Sequence, residues 1–302
     1  MSNGSLTKCL ENGRVYVIAE AGLNHNGSVE IARKMIDVAV EAGADAVKFQ
    51  KRTVDTLAVG SVLDAPDNRF PEFGKTYREV REHIEFNAEE YGELKAYCLE
   101  KGIDFLCTAF DPDAVDFLEV LDIPIYKLAS HSLTNLKLLR YLANVGKPVI
   151  LSTGMAEWEE IDRAVALFKE VGTPLYLLHC VSAYPTPVDQ HNLSMISRLK
   201  ERYDIPVGYS GHEMGFLPSL TAVAMGACIV ERHYTLDRKM VGFDHKISLE
   251  PQDLTDMVRD IRAIESMRGT GGKQVSKQER ITRDKYHVSM ASARALPAGT
   301  IL

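Results

Sequence analysis

Two lysines stand where packing gives no reason for them. Lys48 lies in AVKFQ (46–50) and Lys127 in IYKLA (125–129), short apolar runs of the kind that parallel strands bury on both faces. Each could lay its stem along apolar surface or pair with an acid such as Glu20. The sharper reading is an anion site: two ammonium groups, nearby hydroxyls and loop N–H groups suit a phosphate or carboxylate. The hydroxyls are at hand, because Ser130 follows Lys127, Ser152 ends VILS (149–152), Ser182 follows LYLLH (175–179) and Ser210 ends VGYS (207–210). Two histidines form a second group. His212 lies just beyond VGYS and His233 closes CIVERH (228–233), one strand–helix unit apart. Two imidazoles with one or two carboxylates suit manganese, iron or zinc, with Glu20, Glu231 and Asp244 as acids within the pattern. The alternative is one hydrogen-bonded core histidine and one general base.

Several loop residues join them. Asn24 and His25 sit in the polar NHNG turn, where His25 either bonds a substrate or holds the turn. His131 and Ser132 follow the Lys127 strand directly. Tyr184, in SAYPTP, is set in a loop stiffened by prolines and either stacks on a ligand or covers the end of the fold. Arg78 and Arg81 in TYREVREHIE read first as a solvated helix face and second as anion contacts.

These residues need elements to position them. Eight short apolar runs, beginning with VYVIA (15–19) and ending with CIVERH, alternate with amphipathic helical patterns; FLCT (105–108) is the third. Ser28 and Asp111 are placed as helix N-caps, the latter followed by Pro112. Eight strand–helix units predict an α/β fold, a (β/α)8 TIM barrel over residues 1–268, whose polar residues converge at the carboxyl ends of the strands. An open doubly wound sheet is the alternative, but the loop after the first run lacks GxGxxG spacing. Residues 51–87 are too long for a simple connection and predict a cover over the site. Residues 269–302 read as a polar, basic linker followed by the start of a strand-rich piece.

Composition bounds the function. The chain has 302 residues, 45% of them hydrophobic, with 35 basic against 42 acidic side chains and a formal charge of -7. That balance argues against a nucleic-acid or anionic-membrane partner. No apolar run is long enough to span a bilayer and no secretory pattern opens the chain, so a cytoplasmic protein with reduced cysteines is expected.

Taken in order, IAEAGLNHNG (18–27), AGADAVKFQ (42–50), FLCTAFD (105–111), YKLAS (126–130), KPVILSTGM (147–155), HCVSAYPTP (179–187), VGYSGHEMG (207–215), GACIVERHYTLD (226–237) and GFDHKISLEP (242–251) resemble the sialic acid synthase family. That family condenses phosphoenolpyruvate with an N-acylated amino sugar and releases phosphate. The resemblance implies a divalent ion, typically manganese, on His212 and His233. It implies phosphoenolpyruvate held by Lys48 and Lys127 with Ser130, Ser152, Ser182 and Ser210. It assigns acidic roles to Glu20, Glu231 and Asp244 and an aromatic role to Tyr184. It further implies a homodimer, in which a C-terminal domain resembling antifreeze protein reaches into the partner's site; VSMASARALPAGTIL (288–302) looks like the opening of such a domain.

The chain departs from the family pattern at three places. His131 and Ser132 stand where the family has Gly and then Glu or Asp, Phe243 stands for a proline, and Ser182 replaces an asparagine found in some members. The expectation is an active synthase with an unusual acceptor sugar. The competing readings are an aldolase-type barrel, with Lys127 forming a Schiff base, and an altered barrel that binds a sugar or protein partner without turnover.

Overall fold

The computed structural model describes residues 5–301. Eight parallel strands close into a barrel in chain order: β1 (Tyr16–Gly22), β2 (Ala46–Lys51), β3 (Asp104–Ala109), β4 (Tyr126–Leu128), β5 (Val149–Ser152), β6 (Leu175–Cys180), β7 (Val207–Gly211) and β8 (Ile229–His233). All eight coincide with the apolar runs, and the open-sheet alternative falls.

Period-two alternation explains both the core and the site. On β1, Val15, Val17 and Ala19 face the helical layer, while Tyr16 and Ile18 join Ala46, Leu106, Ile125, Ile150, Tyr176, Leu178 and Ile229 inside the barrel. Leu6 and Cys9 of the helix Ser5–Glu11 pack into that inner cluster and close its amino-terminal end. One step up seven of the strands the inward positions turn polar: Glu20, Lys48, Thr108, Lys127, Ser152, Ser210 and Glu231, all buried; β6 has Cys180 there. An apolar floor therefore supports a polar layer, as the strand sequences require.

Local chemistry sets the helices. The Ser28 hydroxyl accepts from Ile31 N–H to start Val29–Glu41, and the Asp111 carboxylate accepts from Ala114 N–H to start Pro112–Val120. Gly102, Gly146 and Gly172, all left-handed, end the helices before β3, β5 and β6.

The 51–87 insertion contains the helices Gly60–Leu63 and Tyr77–Ile84. It docks on the strand-end loops. Phe70 lies 4.5 Å from Phe243 between ring centroids, and Gly27, at φ +75°, lies so close that a Cβ would fall 2.1 Å from the His83 carbonyl oxygen.

The chain divides into two compact units, one ending at Met267 and one running from Arg268. Within the stretch read as a linker, Lys277–Tyr286 is a helix, because Ser276 and Glu279 form a reciprocal capping box. Residues 288–301, expected to open a strand-rich piece, contain no strand. Among the described residues no helix is long and apolar enough to cross a membrane.

Candidate active site

The carboxyl ends of the strands enclose a cavity lined by Glu20, Lys48, Lys127, Ser130, His131, Ser152, Ser182, Tyr184, Ser210, His212, Glu231 and His233. The twelve come from seven of the eight strands or the loops that follow them. Gln50, Thr108, Phe110, Ala129, Met155 and Cys180 complete the wall and were not singled out from sequence. Gln50 and Thr108 were findable: each lies two residues beyond an inward side chain of its own strand.

At the base, Lys48 Nζ lies 2.9 Å from Glu20 Oε2 and 3.5 Å from Glu231 Oε2, and it donates to Thr108 Oγ1 at 2.9 Å. Lys127 Nζ donates to Ser152 Oγ at 2.7 Å and to the Leu128 carbonyl at 2.9 Å, with Glu231 Oε1 at 3.8 Å. Gln50 donates to Glu20 Oε1 at 2.6 Å, and Ser210 to Glu231 Oε1 at 3.1 Å. Pairing with acids and placement in an anion-sized cavity thus both hold.

Electrostatics separates the two lysines. Burial opposes the charge of Lys48, but Glu20 and Glu231 outweigh it and raise its pKa above the ordinary lysine value. Lys127 is lowered, chiefly by burial, with Glu231 only partly offsetting. Burial would raise Glu231; Lys127, Lys48 and His233 overcome that and hold it well below the usual carboxylate range. Two cations and two anions share this floor, so an incoming anion takes over lysine donors that now face glutamates.

Behind the serines, the Gly154 N–H donates to Ser130 Oγ at 3.0 Å, and a Cβ at Gly154 would lie 2.4 Å from Ser182 Oγ. Only glycine lets that loop close around both hydroxyls.

At the mouth, the His212 and His233 rings face each other with centroids 5.5 Å apart, and Tyr184 covers His212 at 4.1 Å. His212 Nδ1 lies 3.0 Å from the Val181 carbonyl, a geometry that makes it the donor and leaves Nε2 with its lone pair. His233 Nδ1 is buried without a hydrogen-bond partner, 3.8 Å from Asp244 Oδ2. Burial lowers the pKa of both rings, which favours the neutral, ligating form. Among the described residues no group of three or more His, Cys, Asp or Glu side chains is gathered closely enough to hold a metal. Glu20 and Glu231, expected as acidic partners for the histidines, are engaged by lysines instead. The donor set therefore fits a divalent ion through two imidazoles, with further ligands coming from substrate or water.

Four expected residues lie outside the lining. Asn24 donates to the Tyr234 carbonyl at 2.8 Å and to Ser248 Oγ at 2.9 Å, tying the loops after β1 and β8. His25 Nδ1 accepts from Gly27 N–H at 3.1 Å and its ring stacks on Phe86 at 4.3 Å, so the turn-holding alternative is the one realised. Burial pushes His25 down to about 3. Ser132 is buried, and of the pair it is His131 that faces the cavity, stacked on Phe110 at 4.9 Å. Asp244 stands beside His233 rather than in the wall. Arg78, one of the two candidate anion contacts in the insertion, is engaged by Asp55 and Asp64.

Comparison with known proteins agrees with this arrangement. The NeuB family model matches residues 35–273. The chain is 38% identical over 288 residues to the N-acetylneuraminate-9-phosphate synthase of Mus musculus, covering 95% of this chain and 80% of that protein. It is 37% identical over 292 residues to the N,N'-diacetyllegionaminic acid synthase of Campylobacter jejuni subsp. jejuni, covering 95% and 87%. Among solved structures, the N-acetylneuraminic acid (sialic acid) synthetase of Leptospira borgpetersenii serovar Hardjo-bovis, in complex with citrate, superposes with a TM-score of 0.77 at 40% identity, covering 90% of this chain and 92% of that one. A closed barrel with paired lysines on its floor and a matching family model over most of its length leads to one conclusion: the chain belongs to the NeuB family of sialic-acid and nonulosonic-acid synthases and is an enzyme of the phosphoenolpyruvate-condensing type.

Proposed function

We propose that this enzyme joins carbon three of phosphoenolpyruvate to the aldehyde carbon of an open-chain N-acylated amino sugar, giving a sialic-acid-like nonulosonic acid and inorganic phosphate. The observation that carries the reading is the pair of buried ammonium groups, Lys48 and Lys127, at the base of a cavity edged by hydroxyls. On this reading they hold the phosphate and carboxylate of phosphoenolpyruvate and counter the charge that moves during reaction. Ser130, Ser152, Ser182 and Ser210 supply further hydrogen bonds to the same anion. His131 and Tyr184 face the acceptor.

The carbon–carbon bond forms as the enol carbon attacks the aldehyde. Water then adds at carbon two, and phosphate leaves with its bridging oxygen. Glu231, held anionic, is suited to orient that water by accepting its hydrogen bond, and Glu20 is placed to assist beside Lys48. His212 and His233 would hold a divalent ion, manganese being the family's usual one, with Asp244 steadying His233. Such an ion supplies Lewis-acid polarisation of a carbonyl oxygen. The docked 51–87 insertion keeps bulk water from the mouth. A homodimer and a cytoplasmic location are part of the proposal.

The test is phosphate release from phosphoenolpyruvate with a panel of N-acylated amino sugars and added manganese. Release that depends on one of these sugars is expected; none with any of them would overturn the reading. The relatives bear product names both with and without a phosphate, so the names alone do not choose an acceptor.

A further inference from the structure

Two guanidinium groups beside the mouth keep buried nitrogens without hydrogen-bond partners. Lys48, Gln50 and Arg52 share one parity along β2 and its extension, so Arg52 continues the inward row beyond the floor. Four residues of extended chain place its Cα roughly 13 Å above that of Lys48. Arg52 donates through Nη2 to Gln50 Oε1 at 2.6 Å, and its guanidinium lies 3.8 Å from the centroid of Phe110. Gln50 and Phe110 both line the cavity. Yet Arg52 Nη1 is buried with no hydrogen-bond partner. Arg81, from the insertion helix Tyr77–Ile84, is held over the Phe243 ring at 4.7 Å, and its Nε and Nη1 are likewise buried and unpartnered.

Of the acids nearby, Glu85 is bound through Oε2 by Lys51 Nζ at 3.0 Å and by the Arg52 backbone N–H at 3.3 Å, while its Oε1 is buried without a hydrogen-bond partner. Asp67 is bound by Arg69 at 2.6 Å. Burial, and after it the neighbouring Arg81, pushes Arg52 down to about 10, a direct cost of keeping two like charges together. Three buried nitrogens, on two cations with no carboxylate hydrogen-bonded to their side chains, are expensive to leave unmade. A phosphate ester removes that cost, since its oxygens match planar guanidinium forks. Phosphoenolpyruvate does not fill this role, because its anionic groups are provided for by the lysines on the floor.

We propose that Arg52 and Arg81 form a second anion subsite at the rim, which takes a phosphate ester on the acceptor sugar's carbon remote from the aldehyde. The inference rests on the acceptor reading above and refines it: one end of the acceptor meets phosphoenolpyruvate at the floor and the other is anchored at the rim. Arg81 makes the insertion part of the specificity machinery, and Phe243, standing where the resembling family has a proline, is the ring that holds Arg81 in place.

The experiment is calorimetric binding of N-acetylmannosamine 6-phosphate and of N-acetylmannosamine to the wild-type protein, to Arg52→Met and to Arg81→Met, followed by steady-state kinetics with both sugars. The wild type should bind the phosphate ester more tightly than the plain sugar. Either variant should reduce that preference about tenfold or more, as loss of a charge-assisted contact requires. Equal binding of the two sugars by the wild type, or an unchanged preference in both variants, overturns the proposal. If a methionine variant fails to fold, thermal protection of the wild type decides instead: a larger rise in Tm with the ester supports the subsite, and equal rises refute it. Preferential binding of the ester without any condensation would keep the subsite and refute the proposed reaction, so the two failures are distinct.

Discussion

Glu213 and Arg232 form a fully buried ion pair, with Glu213 Oε1 2.6 Å from Arg232 Nη1 and side-chain exposures of 2% and 0%. Glu213 follows His212 and Arg232 precedes His233, so one bridge joins the two strand ends that carry the candidate metal histidines. Arg232 also donates to the Glu213 carbonyl at 2.8 Å and to the Gly215 carbonyl at 2.7 Å, while Ser219 and Tyr209 donate to the Glu213 carboxylate. By strand parity Arg232 points away from the cavity, behind the histidines. Its chemistry is positional: it fixes the loop after β7 against β8.

Breaking that bridge separates positioning from folding. Arg232→Met leaves Glu213 buried and uncompensated and should cost about 3–5 kcal/mol, read by denaturant unfolding. Glu213→Gln also leaves Arg232 without its counter-charge and should lower stability, but it keeps the shape and part of the hydrogen bonding. It should fold, yet bind manganese about tenfold or more weakly by electron paramagnetic resonance titration. Wild-type manganese affinity in Glu213→Gln would show that the bridge does not position the histidines.

Lys48→Met and Lys127→Met should each weaken use of phosphoenolpyruvate while retaining the barrel, because methionine keeps the packed stem and removes the charge. They should differ in detail. Lys48→Met strands Glu20 on the floor, while Glu231 keeps Lys127, and should lower stability more than Lys127→Met, whose ammonium is hydrogen-bonded by a hydroxyl and a carbonyl. An unchanged KM for phosphoenolpyruvate in both variants would exclude them as its anion donors.

His25 predicts a pH effect on stability. Its folded pKa is lowered to about 3 from the ordinary 6.5 by burial. Between those values the unfolded chain binds a proton that the folded chain refuses, so stability falls as pH drops below about 6.5 and is unaffected by this group above it. The slope is about 1.4 kcal/mol per pH unit where the difference is one proton. His25→Gln should remove one proton's worth of that slope in urea titrations from pH 6.5 to 4.5. An identical slope in the variant would contradict the assignment.

The barrel was legible because inward and outward positions alternate strictly, and a lysine or glutamate in an apolar run marks the height at which the floor ends. Lys48, Lys127, Glu231 and His233 could be found for that reason. Ser132 could not be placed, because a short helical turn at residues 130–132 turns its side chain into the protein and His131 toward the cavity. For His25 both a site role and a turn-holding role were legible from the polar turn, whereas its stacking on Phe86 depends on an element more than sixty residues away. Arg52 and Arg81 were obscured by the charge around them; only the folded contacts show that these two guanidinium groups keep buried nitrogens without partners.

The change at residues 131 and 132 can be divided accordingly. His131→Ala opens the wall and should alter acceptor KM, whereas Ser132→Ala, with its hydroxyl 3.5 Å from His131 Nε2 and off the cavity, should change it less than about threefold. A larger effect from Ser132→Ala than from His131→Ala in steady-state kinetics would reverse this assignment.

The central claim is a new carbon–carbon bond, and isotope coupling tests it most directly. Phosphoenolpyruvate labelled with carbon-13 at carbon three is incubated with acceptor sugar labelled at carbon one, and the product is examined by nuclear magnetic resonance. A one-bond carbon–carbon coupling between the two labels is expected in a single product, and none with Lys127→Met. Two uncoupled resonances, one in pyruvate and one in unchanged sugar, would contradict it.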